Sequence, residues 1–389
     1  MTRRYLTLIS GTLIAPAVAA AVAFGQQPGP APVPGSLAGF RYVYNDSYAG
    51  WPLDPVHGQH PIRGSFLDPR KPSAQGNYHI GIDISVRDDQ PEPYAPPNRT
   101  HRVFAVEGGT ARIGPGQASI GCVNRLVTVG HFQYWHTDTV GTLENGDAVT
   151  PGQLIGWTCK GLWHVHLSEV QAVDGVDTWV NPIHAGGKLL PYVDTAPPMI
   201  RSIRFARPGS AAWQITNNTR WSPAPATLLP ASELNGVVDV SALVGDVQSY
   251  RGLFDEIHRL YANLHPHRVR LEVTRLRDRA SVMAQDVFQA DAFLEAKLPG
   301  RGLPVAFDDH FAPGTYENVP AIECVRGTFP TASRLTCSGL YWLRLFARQK
   351  GARWDTRRVE NGAYGLAVTA WDASGNRARK SVRVVVRNA

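Results

Sequence analysis

The sequence predicts an all-β protein, with an antiparallel β-sheet domain followed by a second domain built as a β-sandwich. Three observations predict it. Short β-branched and aromatic runs recur between turn residues along most of the 389 residues. The 37 glycines and 30 prolines supply the turns such a chain needs. No amphipathic helical stretch interrupts the runs of the first half.

Taken in order, the chain opens with Thr2-Arg3-Arg4-Tyr5 and an apolar stretch from Leu6 to Ala20, closed by the small-x-small site Ala21-Val22-Ala23. Residues 1–23 therefore read as a signal peptide and 24–39 as a Pro-rich leader. Gly11 and Pro16 break the apolar stretch and argue against a stable membrane span. Arg3-Arg4 also leaves a twin-arginine route open.

Residues 40–194 form the first domain. Arg102–Val106 reads as a strand ended by Glu107-Gly108-Gly109, and Thr110–Ile113 resumes it. Asn124–Val129 and Gln153–Trp157 follow, and His164–Val170 alternates well. Thr195-Ala196-Pro197-Pro198 marks the boundary. In residues 195–389, strand character returns at Ile200–Phe205, Val237–Ala242, Val269–Val273, Tyr364–Trp371 and Ser381–Val386, with a short helix expected over Phe254–Leu264. Trp354-Asp355-Thr356, Asn361-Gly362-x-Tyr364 and the turn Asp372-x-x-Gly375-Asn376 look like an immunoglobulin-like accessory sandwich. Asp372 and Asn376 are read as turn residues rather than as a calcium site.

Four cysteines pair by proximity as Cys122 with Cys159 and Cys324 with Cys337, the pattern of an oxidising compartment. Zinc binding by these thiols lacks the C-x-x-C spacing it would need. The net charge of +7 suits a secreted protein and favours anionic surfaces such as wall polymers. Neither a basic helix nor an aromatic-basic motif supports nucleic-acid binding.

The chemistry concentrates in three segments: Tyr78-His79-Ile80-Gly81-Ile82-Asp83, Tyr134-Trp135-His136 and Trp163-His164-Val165-His166-Leu167. Two histidines and a carboxylate are a typical hydrolytic zinc set with one position left for water. On a straight strand His79 and Asp83 would lie roughly 13 Å apart, so the backbone must bend or bulge between them, and Gly81 permits that. His164 and His166, two apart on a strand, share a face at roughly 7 Å, so one can bind metal while its neighbour faces water or substrate. Glu169 should point away by the same alternation. The other H-x-H, His265-Pro266-His267, has no H-x-x-x-D partner in its domain and reads as structural.

The order H-x-G-x-D, Y-x-H, H-x-H-L resembles the LytM/lysostaphin-type zinc metallopeptidases, the peptidoglycan endopeptidases. The likeness runs from about Pro61 to about Pro182. It takes in Val103–Gly109 and Gly146–Gly156, which look like the family's paired turns. The resemblance implies His79, Asp83 and His166 as ligands of one Zn2+, and His136 and His164 as the catalytic pair. It departs at Thr137, where leucine is usual, at Ser168, where an aromatic is usual, and in the long insertion from Arg87 to Thr100.

The resemblance implies an exported zinc endopeptidase acting on peptidoglycan stem or cross-link peptides, with no membrane span after signal cleavage. With no H-E-x-x-H helix in the chain, His136 and His164 are the groups left to manage protons and the oxyanion. The alternative is a non-catalytic envelope scaffold that keeps the fold and binds wall or a partner.

Overall fold

Where apolar side chains alternate with polar ones, the chain forms strands, and the apolar set faces inward. Val165, Leu167 and Phe132 are fully buried, while His164, His166 and Gln133 on the opposite parity are only partly so. The structure, a computed structural model, describes residues 37, 39–68, 79–119, 121–208, 227–249, 263–293, 341–346 and 353–389. The signal segment, most of the leader, and Cys324 with Cys337 lie outside them. So does most of the helix expected over Phe254–Leu264. Its last two residues are strand, paired with Asp246 and Val247.

The first half contributes twelve strands: β1 (Ile62–Gly64), β2 (Ile82–Ser85), β3 (Arg99–Phe104), β4 (Gly109–Thr110), β5 (Arg112–Ile113), β6 (Gln117–Ser119), β7 (Cys122–Val129), β8 (Phe132–Thr139), β9 (Ala148–Val149), β10 (Leu154–Cys159), β11 (His164–Val173) and β12 (Val176–Val180). The spine of the main sheet runs β1-β2-β11-β8-β10-β3, every neighbour antiparallel. This order lays β2, β11 and β8 side by side, and these three carry four of the five motif residues, with His79 just ahead of β2. A disulfide joins Cys122, at the start of β7, to Cys159, at the end of β10, as the local pairing predicts.

The second half adds β13 (Met199–Ala206), β14 (Val237–Val247), β15 (Asn263–Leu264), β16 (Arg268–Arg275), β17 (Ser281–Gln289), β18 (Ala292–Phe293), β19 (Tyr341–Arg344), β20 (Trp354–Asp355), β21 (Gly362–Trp371) and β22 (Arg377–Val386). They form two further antiparallel sheets, β14 with β13, β15, β19 and β20, and β17-β16-β21-β22, in a sandwich-like arrangement. The Asp372 turn closes as expected, with the Asn376 backbone N–H donating to Asp372 Oδ1 at 2.8 Å. Asp372 is buried with Asp194 and Asp246, one carboxylate oxygen of each lying within 4.8 Å of the others.

The halves share structure. β18 pairs with β12 across the first sheet's edge, and one apolar cluster runs from Trp51 and Ile82 to Val240, Leu366 and Val386. The described residues are thus all-β, with a single 3-10 turn at Thr356–Arg358. No helix among them is long and apolar enough to cross a membrane.

Candidate metal centre

Register brings the first two ligand candidates together. On β2, Asp83 lies directly opposite His166 of β11, and on its other side opposite Gly64 of β1. A one-residue slip would send His166 into the core, where Val165 and Leu167 now sit, so burial of those two enforces the register. His79 stands just ahead of β2, and the chain bends at Gly81 between them. The bend reduces the roughly 13 Å of a straight strand to 2.9 Å between His79 Nε2 and Asp83 Oδ1.

Gly81 is needed for room rather than for an unusual φ. A Cβ there would lie 2.3 Å from the Leu167 carbonyl oxygen and 2.8 Å from His166 Nε2. Gly64 plays the same part on the far side, since a Cβ there would fall 2.5 Å from Asp83 Oδ2. The carboxylate and the second imidazole are therefore enclosed by backbone on both flanks.

Three ligand-type atoms converge. His79 Nε2 is 2.7 Å from His166 Nδ1, and His166 Nδ1 is 3.1 Å from Asp83 Oδ1. Their protonation follows from what surrounds them. His79 Nδ1 lies 2.7 Å from the Ser65 carbonyl oxygen, which only accepts, so Nδ1 carries the proton and Nε2 of the neutral ring keeps a lone pair. His166 Nε2 meets Ser168 Oγ at 2.9 Å, which leaves Nδ1 free to be the lone-pair atom of that ring. Two nitrogen lone pairs and a carboxylate oxygen facing one another repel, unless a proton or a cation lies between them. A tetrahedral ion with bonds of about 2.0–2.2 Å sets its ligand atoms about 3.3–3.6 Å apart. The group fits one after spreading by about half an ångström. His79, Asp83 and His166 are together able to hold a metal ion.

Electrostatics agree with that use. Burial of Asp83 opposes its ionisation, but a proton on any of the His79, His164 or His166 rings beside it favours the charged carboxylate and outweighs that burial. The carboxyl is held well below its ordinary value and stays charged.

The remaining motif histidines come to the same place. His164 shares its face of β11 with His166, and its Nε2 is 3.5 Å from Asp83 Oδ1. Its Nδ1 lies against the Leu162 carbonyl, so Nε2 carries the lone pair. Burial pushes its pKa down to about 3 despite the Asp83 charge, with His136 and Arg63 adding to the effect. His136 reaches the site through a bulge in β8. Val127 of β7 pairs with Tyr134 and Arg125 with Thr137, so β8 carries one extra residue there, and His136 adopts a left-handed φ of 66°. Simple alternation would have put His136 on the core side with Tyr134. The bulge turns it out, its ring edge-on to that of His164 at 4.6 Å.

All five predicted residues thus meet in one place. Sequence reasoning missed the residues that hold them. Ser168 registers in the sequence only as a departure, yet it lies two beyond His166 on the same strand face, and that alternation was a usable signal. Ser65 is fourteen residues from His79 and leaves no trace in any local pattern. Trp135 and Trp163, each 36 % exposed, flank the histidines on the open side. Glu169 points away as expected, buried against Tyr44 Oη at 2.8 Å. His265 and His267 do not join a metal group. His265 packs on Phe288, and His267 pairs with Asp291 at 2.8 Å.

No protein family, no curated protein and no solved structure matches this chain.

Proposed function

We propose that the chain is an exported zinc-dependent endopeptidase of the LytM/lysostaphin kind, hydrolysing peptide bonds in bacterial wall peptidoglycan. One observation carries the reading: His79 Nε2, His166 Nδ1 and Asp83 Oδ1 converge within 2.7–3.1 Å beside the two further imidazoles of the same motifs.

His79, Asp83 and His166 would hold the ion. Zinc in such a site supplies Lewis acidity and brings the pKa of a bound water down to about 7. The chain's own groups do the rest. His164, its Nε2 lone pair turned toward Asp83, is placed to accept a proton from an attacking water. His136, across from it, is placed to donate a hydrogen bond to the oxygen that gains charge as the scissile carbonyl is attacked. Ser65 and Ser168 keep the two ligating rings oriented. Trp135 and Trp163 offer flat walls for an extended peptide, and Arg63 on β1 adds positive charge beside the cleft, which suits stem peptides that end in carboxylates.

Export is supported by the amino-terminal segment and by the Cys122–Cys159 disulfide. The deciding experiment is digestion of purified peptidoglycan with and without chelator, reading the new termini by mass spectrometry. Product that persists in chelator rejects the zinc chemistry. No product from the zinc-loaded protein would instead make it a wall-binding scaffold.

A further inference from the structure

In the second half of the chain, the sheet β17-β16-β21-β22 turns one face to the core and the other outward. Val269, Leu271, Val273, Leu366, Val368 and Ala370 fill the inner face and are buried. The outer face carries charge in rungs. Register sets Arg268 opposite Trp371 and Trp371 opposite Arg377. The next rung sets Arg270 opposite Thr369 and Thr369 opposite Arg379. The rungs are about 7 Å apart along the strands. Together with Glu272 these side chains line an open cavity of about 530 Å3.

The charges on this face do not balance. Asp286 takes Arg268 in a two-bond fork at 3.0 and 2.9 Å and also lies 3.6 Å from Arg270. Glu272 serves Arg379 and lies 3.9 Å from Arg270. Two carboxylates therefore serve three guanidinium groups, and Arg377 makes no ion pair among the described residues. Each guanidinium offers five N–H donors in a planar fork, so the two acids take only a minority of the donors on this face. Arg268 also stacks over the Trp371 ring at 4.8 Å, which fixes the indole in the floor of the groove.

We propose that this face is a binding site for an acidic polysaccharide, its carboxylate groups taken by Arg377, Arg379 and Arg270 and a sugar ring resting against Trp371. The shape argues for a polymer, because the groove is open and crosses three strands. The charge argues for a sparsely charged one. The surplus is only two positive charges once Glu272 and Asp286 are counted against the four arginines. A nucleic acid presents a phosphate at every step, and its binders neutralise many of them. A chain with a carboxylate on some of its sugar rings matches the rung spacing without crowding the two acids. The site is independent of the metal reading.

The test is retention of the full chain in native gels cast with hyaluronate, which carries a carboxylate on every second sugar ring, with neutral dextran and single-stranded DNA as the comparison polymers. The wild-type protein is expected to be slowed by hyaluronate, less so at high salt, and not by dextran. Arg377→Ala, at an exposed position that leaves the fold intact, is expected to weaken retention about tenfold, the loss of one charge-assisted contact. Trp371→Ala, checked for an unchanged melting profile, should weaken it further. The metal-ligand variant His166→Ala should bind as wild type, which separates this site from the other. Wild-type protein that ignores hyaluronate, equal retention by dextran, tighter retention by DNA, or an Arg377→Ala protein that binds undiminished would each overturn the proposal.

Discussion

Ser168 and Gly81 show how few atoms the candidate metal site depends on. Ser168 Oγ is the group that meets the outer nitrogen of His166. Removing it in Ser168→Ala should lower metal affinity about tenfold to a hundredfold, with the fold unchanged, as measured by competition against a chromogenic chelator. Gly81→Ala should be harsher, because its methyl group would collide with the Leu167 backbone and the His166 ring. Backbone cannot yield as a side-chain tip does, so both stability and metal affinity should fall in a thermal melt read with and without zinc. At His164 the expected split is different. His164→Ala should keep bound zinc at wild-type stoichiometry while hydrolysis of purified wall falls by a hundredfold or more, the usual share of a general base. Zinc lost together with activity would make His164 a ligand instead.

Single elements hold the first half in shape. The disulfide bridges residues 37 apart and ties the start of β7 to the end of β10. Closing a loop of that length stabilises by about 3–4 kcal/mol through the unfolded chain. The Cys122→Ser, Cys159→Ser double variant should lose about that much in denaturant unfolding. Lys188 is one of the groups that hold the segment before β1. Lys188 Nζ donates to Asp46 Oδ1 at 2.6 Å, to the Asp46 carbonyl at 2.6 Å and to the Tyr48 carbonyl at 2.8 Å. Burial of Asp46 opposes its ionisation, but Lys188 and the backbone N–H groups of Gly108 and Tyr48 lower its pKa below 3.8. The stabilisation is therefore present above 3.8 and lost as pH falls through the lower folded value. Lys188→Met should cost about 2 kcal/mol, less than a fully buried pair because Asp46 is 24 % exposed, and should flatten the acid limb of the stability curve.

At the scale of the molecule, the second half takes part in building the candidate metal site. Ser65, whose carbonyl orients His79, receives the His265 backbone N–H on its Oγ at 2.8 Å. Asp68, beside it, takes the backbone N–H of Ser65 at 3.0 Å and the Tyr341 hydroxyl. Gln248 clasps the Ile62 backbone from the same side at 3.1 and 2.7 Å. The turn Ser65–Asp68, whose Ser65 carbonyl orients the first ligand candidate, is thus fastened to β19 and to the residue just past β15, and Gln248, just past β14, holds β1 next to it. Tyr341→Phe should leave the fold intact yet lower zinc affinity severalfold in the same competition assay. An unaltered affinity would show that the loop holds His79 without help. A fragment ending near residue 194 should unfold more readily than the full chain, since it would expose the shared core around Ile62 and Ile82.

The amino-acid sequence by itself determined most of the longer strands, their inward faces and the Cys122–Cys159 pairing. These depend on alternation, turn chemistry and local spacing, which act between near neighbours in the chain. The five motif residues came from a resemblance to a known family rather than from any such local rule. Only the tertiary structure decided that His136 reaches the site through a bulge, that Gly81 acts by leaving room, and that Ser65 and Ser168 hold the ligand rings. It alone showed that the loop under His79 is gripped by residues some two hundred positions away. Such contacts arise from register and packing between elements distant in sequence, and no local pattern of residue types encodes a distance across a sheet.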